Sequence, residues 1–478
     1  MGSVGLNFGS AISGQGFDVT GTVNQIVSNL QSVETPWKSQ LTKLQGNDTA
    51  LSSLGTMISK LSTDLQNLTD FNGVLASKTG SSSDTNVLSL SSADSTAVAG
   101  THTITVQNLA QTSSAASDSV GASDALTGGI TFKIGNGAWQ TVNVGDSSTA
   151  ATISGLATAI NSAGLGVTAS VLTNAGGTER LSLVSQASGA AGQITIANST
   201  NNPGSPTTLA DSTTPDPNAG LGLSVVQNGI DANITVDGVQ LTSGSNTVTN
   251  VIPGVTFQLL STGASGSTPE SVQVVIANDT ASIEASINSF VTDYNSTMKT
   301  INAQEGKDSS GNPQPLFGSP VLAQLQQGLQ AAMSSSFGTS TINSLISLGI
   351  SASSSADGTV SLDGNALSNA LNSNFSQVVS LFQNAGNFGS SFAKTLDSLG
   401  NNSATGGAIS LALSEDSSQE ATLNDNISKQ EALIATQKSN LTSELNLANE
   451  VLQSIPQQIQ QVNEMYSAIT GYNSKQNG

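Results

Sequence analysis

Toward the C-terminal end of the chain, apolar residues recur in a strict rhythm. Leu441, Leu445, Ala448, Leu452, Ile455, Ile459, Val462, Tyr466 and Ile469 follow one another in alternating steps of four and three. That spacing keeps them on one narrow stripe of a long helix, the seam of a helix that packs on another helix. Gln, Asn, Ser, Thr and Glu fill the positions between. Each buried Leu or Ile is worth roughly 1.5–3 kcal/mol, so the stripe needs a cover. The other end of the chain offers one. Leu30, Val33, Trp37, Leu41, Leu44, Leu51, Leu54, Ile58, Leu61, Leu65 and Leu68 keep nearly the same spacing, with Asp48 interrupting one seam position. As helices, Trp37–Leu68 and Ile434–Ile469 would each run about 50 Å. The pattern predicts that they face each other, bringing the ends together and looping out the rest. An ordinary helical core is the alternative, but it usually presents a wider apolar face. Pro456 falls inside the C-terminal stripe without shifting its phase, which predicts a bend between two helical halves rather than a break.

Between these ends the period changes. Residues 1–17 are Gly- and Ser-rich and read as flexible. A first helix runs from about Asp18 to Val33, and Thr35-Pro36 restarts it. Phe71-Asn72-Gly73 ends the long helix. From Val87 the period becomes two: Leu88 and Leu90 alternate with serines, Ile104 and Val106 with threonines. Similar strands return at Ile234–Val236, at Val239 and Leu241 after an Asp237-Gly238 turn, and at Val255–Leu259 and Val272–Ile276. Residues 79–112 and 228–278 therefore read as two halves of one β-rich domain. The 113–227 segment reads as a second β-rich domain inserted into it. There Phe132, Ile134, Trp139, Val142 and Val144 alternate, Ile153, Leu156 and Ile160 share a helical face, and Asn174–Gly177 turns a hairpin. Residues 199–220 are rich in Asn, Pro, Ser, Thr and Asp and read as a mobile loop.

Helical spacing resumes after Asp279, through Ile283, Ile287, Phe290, Tyr294 and Ile301. It continues from Ser319-Pro320 and, past an Asp357-Gly358 turn between short strands, through Leu367, Leu371, Phe375, Val378 and Phe382 to Leu399. The fold class expected is α+β and multidomain. Terminal coiled-coil legs are expected at 1–45 and 426–478, a helical core at 46–78 and 279–425, and the two nested β-rich domains between.

Composition narrows the function. The net charge is −20, with 32 acidic residues against 12 basic ones, and Arg180 is the single arginine. Counterion release from a nucleic acid requires clustered Lys or Arg, so no nucleic-acid partner is expected. An anionic membrane surface is disfavoured for the same reason. No run reaches the length of a membrane span, so no membrane insertion is expected. There are no cysteines, hence no disulfides and no thiolate chemistry. The N-terminal residues lack the basic and apolar regions of a Sec signal. A charge-poor, polar, β-rich chain of this kind fits an extracellular surface protein.

The chemistry-bearing residues are sparse. His102 is the only histidine, set among strand threonines, and reads as a sheet residue. A His/Cys metal site is excluded by counting. The acids form no pair flanked by aromatic sugar platforms, as a glycosidase would need. Asp211 and Asp216 lack the spacing of a calcium loop, and the Gly-Gly turns lack the lysine of a phosphate loop. No catalytic residue, cofactor or metal is expected. The residues expected to carry function are the assembly seam: Leu30, Val33, Trp37, Leu41 and Leu44 at one end, with Leu441, Leu445, Leu452, Ile455, Ile459, Val462, Tyr466 and Ile469 at the other.

Several stretches resemble the flagellar filament cap family, also called hook-associated protein 2. Gly16–Val27, followed by Glu34-Thr-Pro36, is similar to the family's opening, and Thr103–Gln111 to the strand that ends its N-terminal region. Asp231–Gly238 with Asn246–Thr256 is the most specific match. Phe290–Asn295, Leu348–Ser351 and Asp357–Asp363 complete it, and Ala159–Ser170 with Arg180–Leu183 resembles a small module shared with flagellins. The resemblance implies a ring of about four to six copies at the flagellum tip, with legs on the filament end and flagellin folding beneath. It also implies an export chaperone and extracellular placement by the flagellar type III apparatus, without a Sec signal. The Gly471–Gly478 tail departs from the family's apolar end. Two other readings stay open. One is a flagellin or hook–filament junction protein. The other is an adhesin that binds mucin or host glycans through residues 113–227.

Overall fold

The computed structural model describes residues 17–144, 151–197, 210–211, 221–263, 269–400, 402, 404 and 406–470. It divides into two compact units, residues 1–70 with 284–478, and residues 71–283. Of the N-terminal stretch expected to be flexible, residues 1–16 lie outside the described residues, as do most of the 199–220 loop with Asp216 and the Gly471–Gly478 tail, whereas Phe17 is half-buried.

Helix α1 (Val19–Gln31) opens where Asp18 accepts the Gly21 N–H at 2.9 Å, a side-chain cap on otherwise unpaired donors. A turn follows, and α2 (Thr35–Thr69) starts with Pro36 in its first turn, where a missing N–H forfeits no bond. Leu51, Leu54, Ile58, Leu61, Leu65 and Leu68 form its fully buried stripe.

Residues 71–283 hold two cores of their own. The first lies between two antiparallel sheets. One sheet is ordered Lys78–Ser82, Ser271–Asn278, Gly100–Asn108, Ala232–Val236, Val239–Ser243; the other is Thr247–Thr249, Val255–Leu259, Leu88–Ala93. Ile104, Val106, Ile234, Phe257 and Val274 meet between them, fully buried. Period-two alternation is what places these residues on one face of each strand. Asp237 and Gly238, both at positive φ, make the tight turn that the Asp-Gly pair predicts. The Lys78–Ser82 strand was not legible, because KTGSS carries no apolar residue. It is an edge strand that pairs with Ser271–Asn278. Its Gly80 leaves room for Leu90, whose Cδ2 would lie 2.1 Å from an added Cβ.

The second core belongs to the segment between residues 112 and 227. Strands Thr112–Ala116, Thr178–Ser188, Val167–Thr173, Ser224–Gln227 and Val120–Gly121 make one sheet. Leu126–Ile134, Gln140–Val144, Ile194–Ile196 and Ala210–Asp211 make another. Helix α3 (Ile153–Ala163) packs Leu156 and Ile160 onto Phe132, Leu181 and Leu183. The neck of this module is a reciprocal bridge: Gln111 N–H to the Ile230 carbonyl at 2.8 Å, and Ile230 N–H to the Gln111 carbonyl at 3.2 Å. Trp139, expected within a strand, precedes Gln140–Val144, and the Lys133 ammonium lies 5.1 Å from its ring centroid.

Several stretches singled out in the sequence bond to one another. Asn246 accepts the Ala110 N–H at 2.7 Å and donates to its carbonyl at 3.0 Å, tying Asn246–Thr256 to Thr103–Gln111. The Asp231 carboxylate accepts the Ala190 N–H at 2.6 Å. His102 sits in its strand with Nδ1 2.7 Å from the Asp237 carboxylate. That bond is the first cause holding Asp237 below the usual carboxylate range.

The chain then forms α4 (Thr280–Gln304), α5 (Pro320–Met333), a hairpin of Ile350–Ala352 and Val360–Leu362, then α6 (Gly364–Ser373), α7 (Phe375–Gln383), α8 (Phe388–Leu399) and α9 (Ala408–Thr470). On α4, Tyr294 donates to the Gly358 carbonyl at 3.0 Å, and Asn295 makes two 2.8 Å bonds with the Val360 backbone. These bonds fasten Phe290–Asn295 to Asp357–Asp363. Leu367 to Phe382, expected as one helical run, breaks at Asn374, whose φ of −134° leaves the helical region. Phe290 then meets Phe388 and Phe392 edge to face, as Phe382 meets Phe388, with Phe290 and Phe392 centroids 5.5 Å apart; Phe388 and Phe392 lie tilted at 32° to each other. Truncating Phe388, which touches three of these rings, to alanine is expected to cost about 3–5 kcal/mol in chemical denaturation followed by far-UV circular dichroism.

Candidate assembly interface

Helix α9 has 63 residues and so runs about 95 Å. No single partner covers it. Its first part lies antiparallel to α2. The Lys38 ammonium bonds Glu431 at 3.0 Å, Asp48 meets Asp416, and Ile58 packs beside Gly400 just ahead of α9. Its middle part lies against α1, where Val19, Val23 and Val27 bury with Ile434, and Phe17, Leu30, Leu441 and Leu445 close the edges. The Phe17 N–H, on the first described residue, donates to the Asn449 side chain at 2.9 Å.

The expected face-to-face match of Trp37–Leu68 with Ile434–Ile469 is therefore corrected. The turn at Ser32–Glu34 divides the N-terminal cover in two, so α2 takes residues up to about 431 and α1 takes 434–449. Spacing alone could not set this register, because both N-terminal segments carry the same rhythm. At the turn, Glu34 is buried, and its Oε2 accepts from Lys38 at 2.8 Å. The bonds from Lys38 to Glu34 first, and then to Glu431, raise the Lys38 pKa and hold its proton. This shared lysine clips the elbow to α9, a contact the apolar pattern gave no sign of.

The thirteen seam residues thus divide. Leu44 is buried, and Leu30, Trp37, Leu41, Leu441 and Leu445 are half-buried. Val33 faces solvent at the elbow, 50% exposed. Beyond Asn449 the stripe lies open. Ile455 is half-buried, whereas Leu452, Ile459, Val462, Tyr466 and Ile469 are exposed, reaching 80% at Ile469. Leu447, Val451 and Met465 are exposed beside it and widen the apolar face. They fall outside the four-three stripe, so its spacing does not mark them. The helix continues through Pro456 without a break.

A face of this kind binds by burial and carries no reactive group. Glu464 is the only ionisable side chain besides Tyr466 between Val451 and Thr470. Among the described residues, no three His, Cys, Asp or Glu side chains gather where a metal could sit. No described helix is long and apolar enough to cross a membrane.

Helix α1, with 13 residues, is too short to persist alone in water. A charge at its buried face, Val23→Asp, is expected to release it. Hydrogen exchange in 19–31 and 434–449 should rise by orders of magnitude while exchange in 51–68 stays unchanged.

The chain matches the family model for the flagellar hook-associated protein 2 C-terminus over residues 229–470. It matches the corresponding N-terminus model over residues 15–113. It is 29% identical over 383 residues to the B-type flagellar hook-associated protein 2 of Pseudomonas aeruginosa, covering 76% of this chain and 78% of the relative. To the flagellar hook-associated protein 2 of Escherichia coli K12 it is 27% identical, covering 77% and 78%. Its fold is like that of the D1-D2-D3 domains of the flagellar cap protein FliD from Escherichia coli. The TM-score is 0.57 at 23% identity, with 77% of this chain and 99% of that one covered. With the C-terminal model alone spanning more than half of its residues, the chain belongs to the flagellar hook-associated protein 2 family.

Proposed function

We propose that this chain caps the distal end of the bacterial flagellar filament and guides the ordered addition of exported flagellin. The observation that carries this is the open apolar face of α9 beyond Asn449, at the end of a helix whose earlier parts are covered by its own chain. A stripe left bare on a soluble surface marks a place where another chain binds. The family supplies the setting. Its relatives are named for the hook and the cap, and none of those described is named as an adhesin, so the inserted module is not read as a glycan-binding device.

On this reading copies of the chain close into a ring of about four to six, since identical subunits joined head to tail through one rotation form a ring. The terminal helices act as coiled-coil legs that meet the filament end and flagellin. The chain leaves the cell through the flagellar type III apparatus with a dedicated chaperone and works outside it. It uses neither catalysis nor a cofactor; the work is binding energy made and released at the legs.

Removing both ends would test this poorly, because cutting α2 would strip Leu51–Leu68 from its own unit's core. Point variants are cleaner. Light scattering on a sizing column is expected to show a closed oligomer of the full chain. Leu452→Asp or Ile459→Asp should shift it at least tenfold toward smaller species and abolish motility in complemented cells, with an unchanged thermal transition. Normal capping by Leu452→Asp would remove the stripe from the working interface.

A further inference from the structure

Four carboxylate oxygens are buried without a hydrogen-bond donor among the described residues: Glu34 Oε1, Asp48 Oδ1, Asp64 Oδ2 and Glu420 Oε1. All four belong to the turn before α2, to α2 itself or to α9. Two of them meet a second carboxyl. Asp48, the residue that breaks the N-terminal seam, faces Asp416 of α9. Asp64 meets Asp293 of α4, beside a 190 Å³ cavity lined by Asp64, Asn67, Ser286 and Ser289. Lys60, one turn before Asp64, bonds Asp293 at 2.7 Å; it reaches Asp64 only through its field, which lowers the Asp64 pKa less than burial and Asp293 raise it. Two carboxylates cannot bond each other, but a carboxyl and a carboxylate can, because one then donates.

We propose that α2 is a proton-tightened strut. One proton held between Asp48 and Asp416, and one between Asp64 and Asp293, draw it against α9 and α4, so that the helical unit is firmer in mild acid than at neutral pH.

The raising influences outweigh the opposing ones, which are the Lys60 ammonium at Asp64 and the Asn47 side chain at Asp416. Burial first, and then Asp293, push Asp64 up to about 6. Burial raises Asp293 too, but its bonds from Asp64 and Lys60 outweigh that and hold it low, so the proton resides on Asp64. Burial, then Asp48 and Glu415, raise Asp416. Of the other helices packed on α2, α7 carries no charged residue and α8 carries Lys394 and Asp397. A folded-state pKa above the unfolded one means that folding takes up a proton. The stabilisation is therefore full below the unfolded value near 4 and is lost as pH rises through about 6. Asp308 and Asp357 of the same unit are shifted the opposite way, below the usual carboxylate range, so their effect falls at lower pH.

The inference does not depend on the capping role. It is tested by thermal unfolding of the full chain at 222 nm, at pH 5.5 and 7.5, with D48N and D64N alone and together. An asparagine amide donates to the facing carboxylate without a proton from solvent. The wild-type helical transition is expected to rise by roughly 2–4 °C on acidification. The double variant should melt higher than wild type at pH 7.5 and lose at least half of that pH dependence. A double variant that melts lower at pH 7.5, fails to fold, or keeps the full wild-type pH dependence would overturn the proposal. As a second readout, exchange rates of wild-type amides 44–68, corrected for intrinsic rates, should fall at least threefold from pH 7.5 to 5.5. No decrease would likewise overturn it.

Discussion

A helix of about 95 Å with an apolar stripe along it needs cover along its length, and residues 1–70 and 284–478 are organised around supplying it. The cover is assembled in sections. Helix α2 takes the first, α1 takes the middle, and the last is left open. The elbow between α1 and α2 makes this possible, and Glu34, Lys38 and Glu431 hold the elbow in place. Each covered section buries a handful of Leu, Val and Ile side chains. The open one keeps as many in solvent, a standing cost recovered only on association.

The remainder of that unit stiffens α2. Phenylalanines of α4, α7 and α8 stack edge to face, and the Tyr294 hydroxyl and Asn295 amide lock the Asp357–Val360 turn onto α4. Against this apolar economy stand the carboxyl pairs of α2. In a chain of net charge −20, acids at helix seams run short of cations, and a proton is the cheapest counter-charge. The strut is thereby tied to pH through the same residues that interrupt its hydrophobic pattern.

Residues 71–283 follow a different logic. Two β-rich cores are built one within the other, with Gln111 and Ile230 bridging the neck. Asn246 and Asp231 bond to backbone amides that no local pattern would assign to them. The stretches in which they occur were recognisable as words before their purpose was visible.

Much of this was legible in the sequence. The four-three rhythm determined the terminal helices, because burying one face of a helix demands it. Alternation determined the strands around Ile104, Ile234 and Phe257, and Asp237-Gly238 determined its turn, since few residues accept positive φ. The thirteen seam residues could be named, but not sorted. Which of them are covered within the chain, as Leu44 and Leu441 are, and which stay open, as Ile459 and Ile469 do, was decided by register. Register is a tertiary property here, because α1 and α2 carry the same period and either could have met the end of α9. The edge strand Lys78–Ser82 and the Asp48–Asp416 pair were hidden for a related reason. Their stability comes from a partner distant in the chain, and nothing in their own residues announces it.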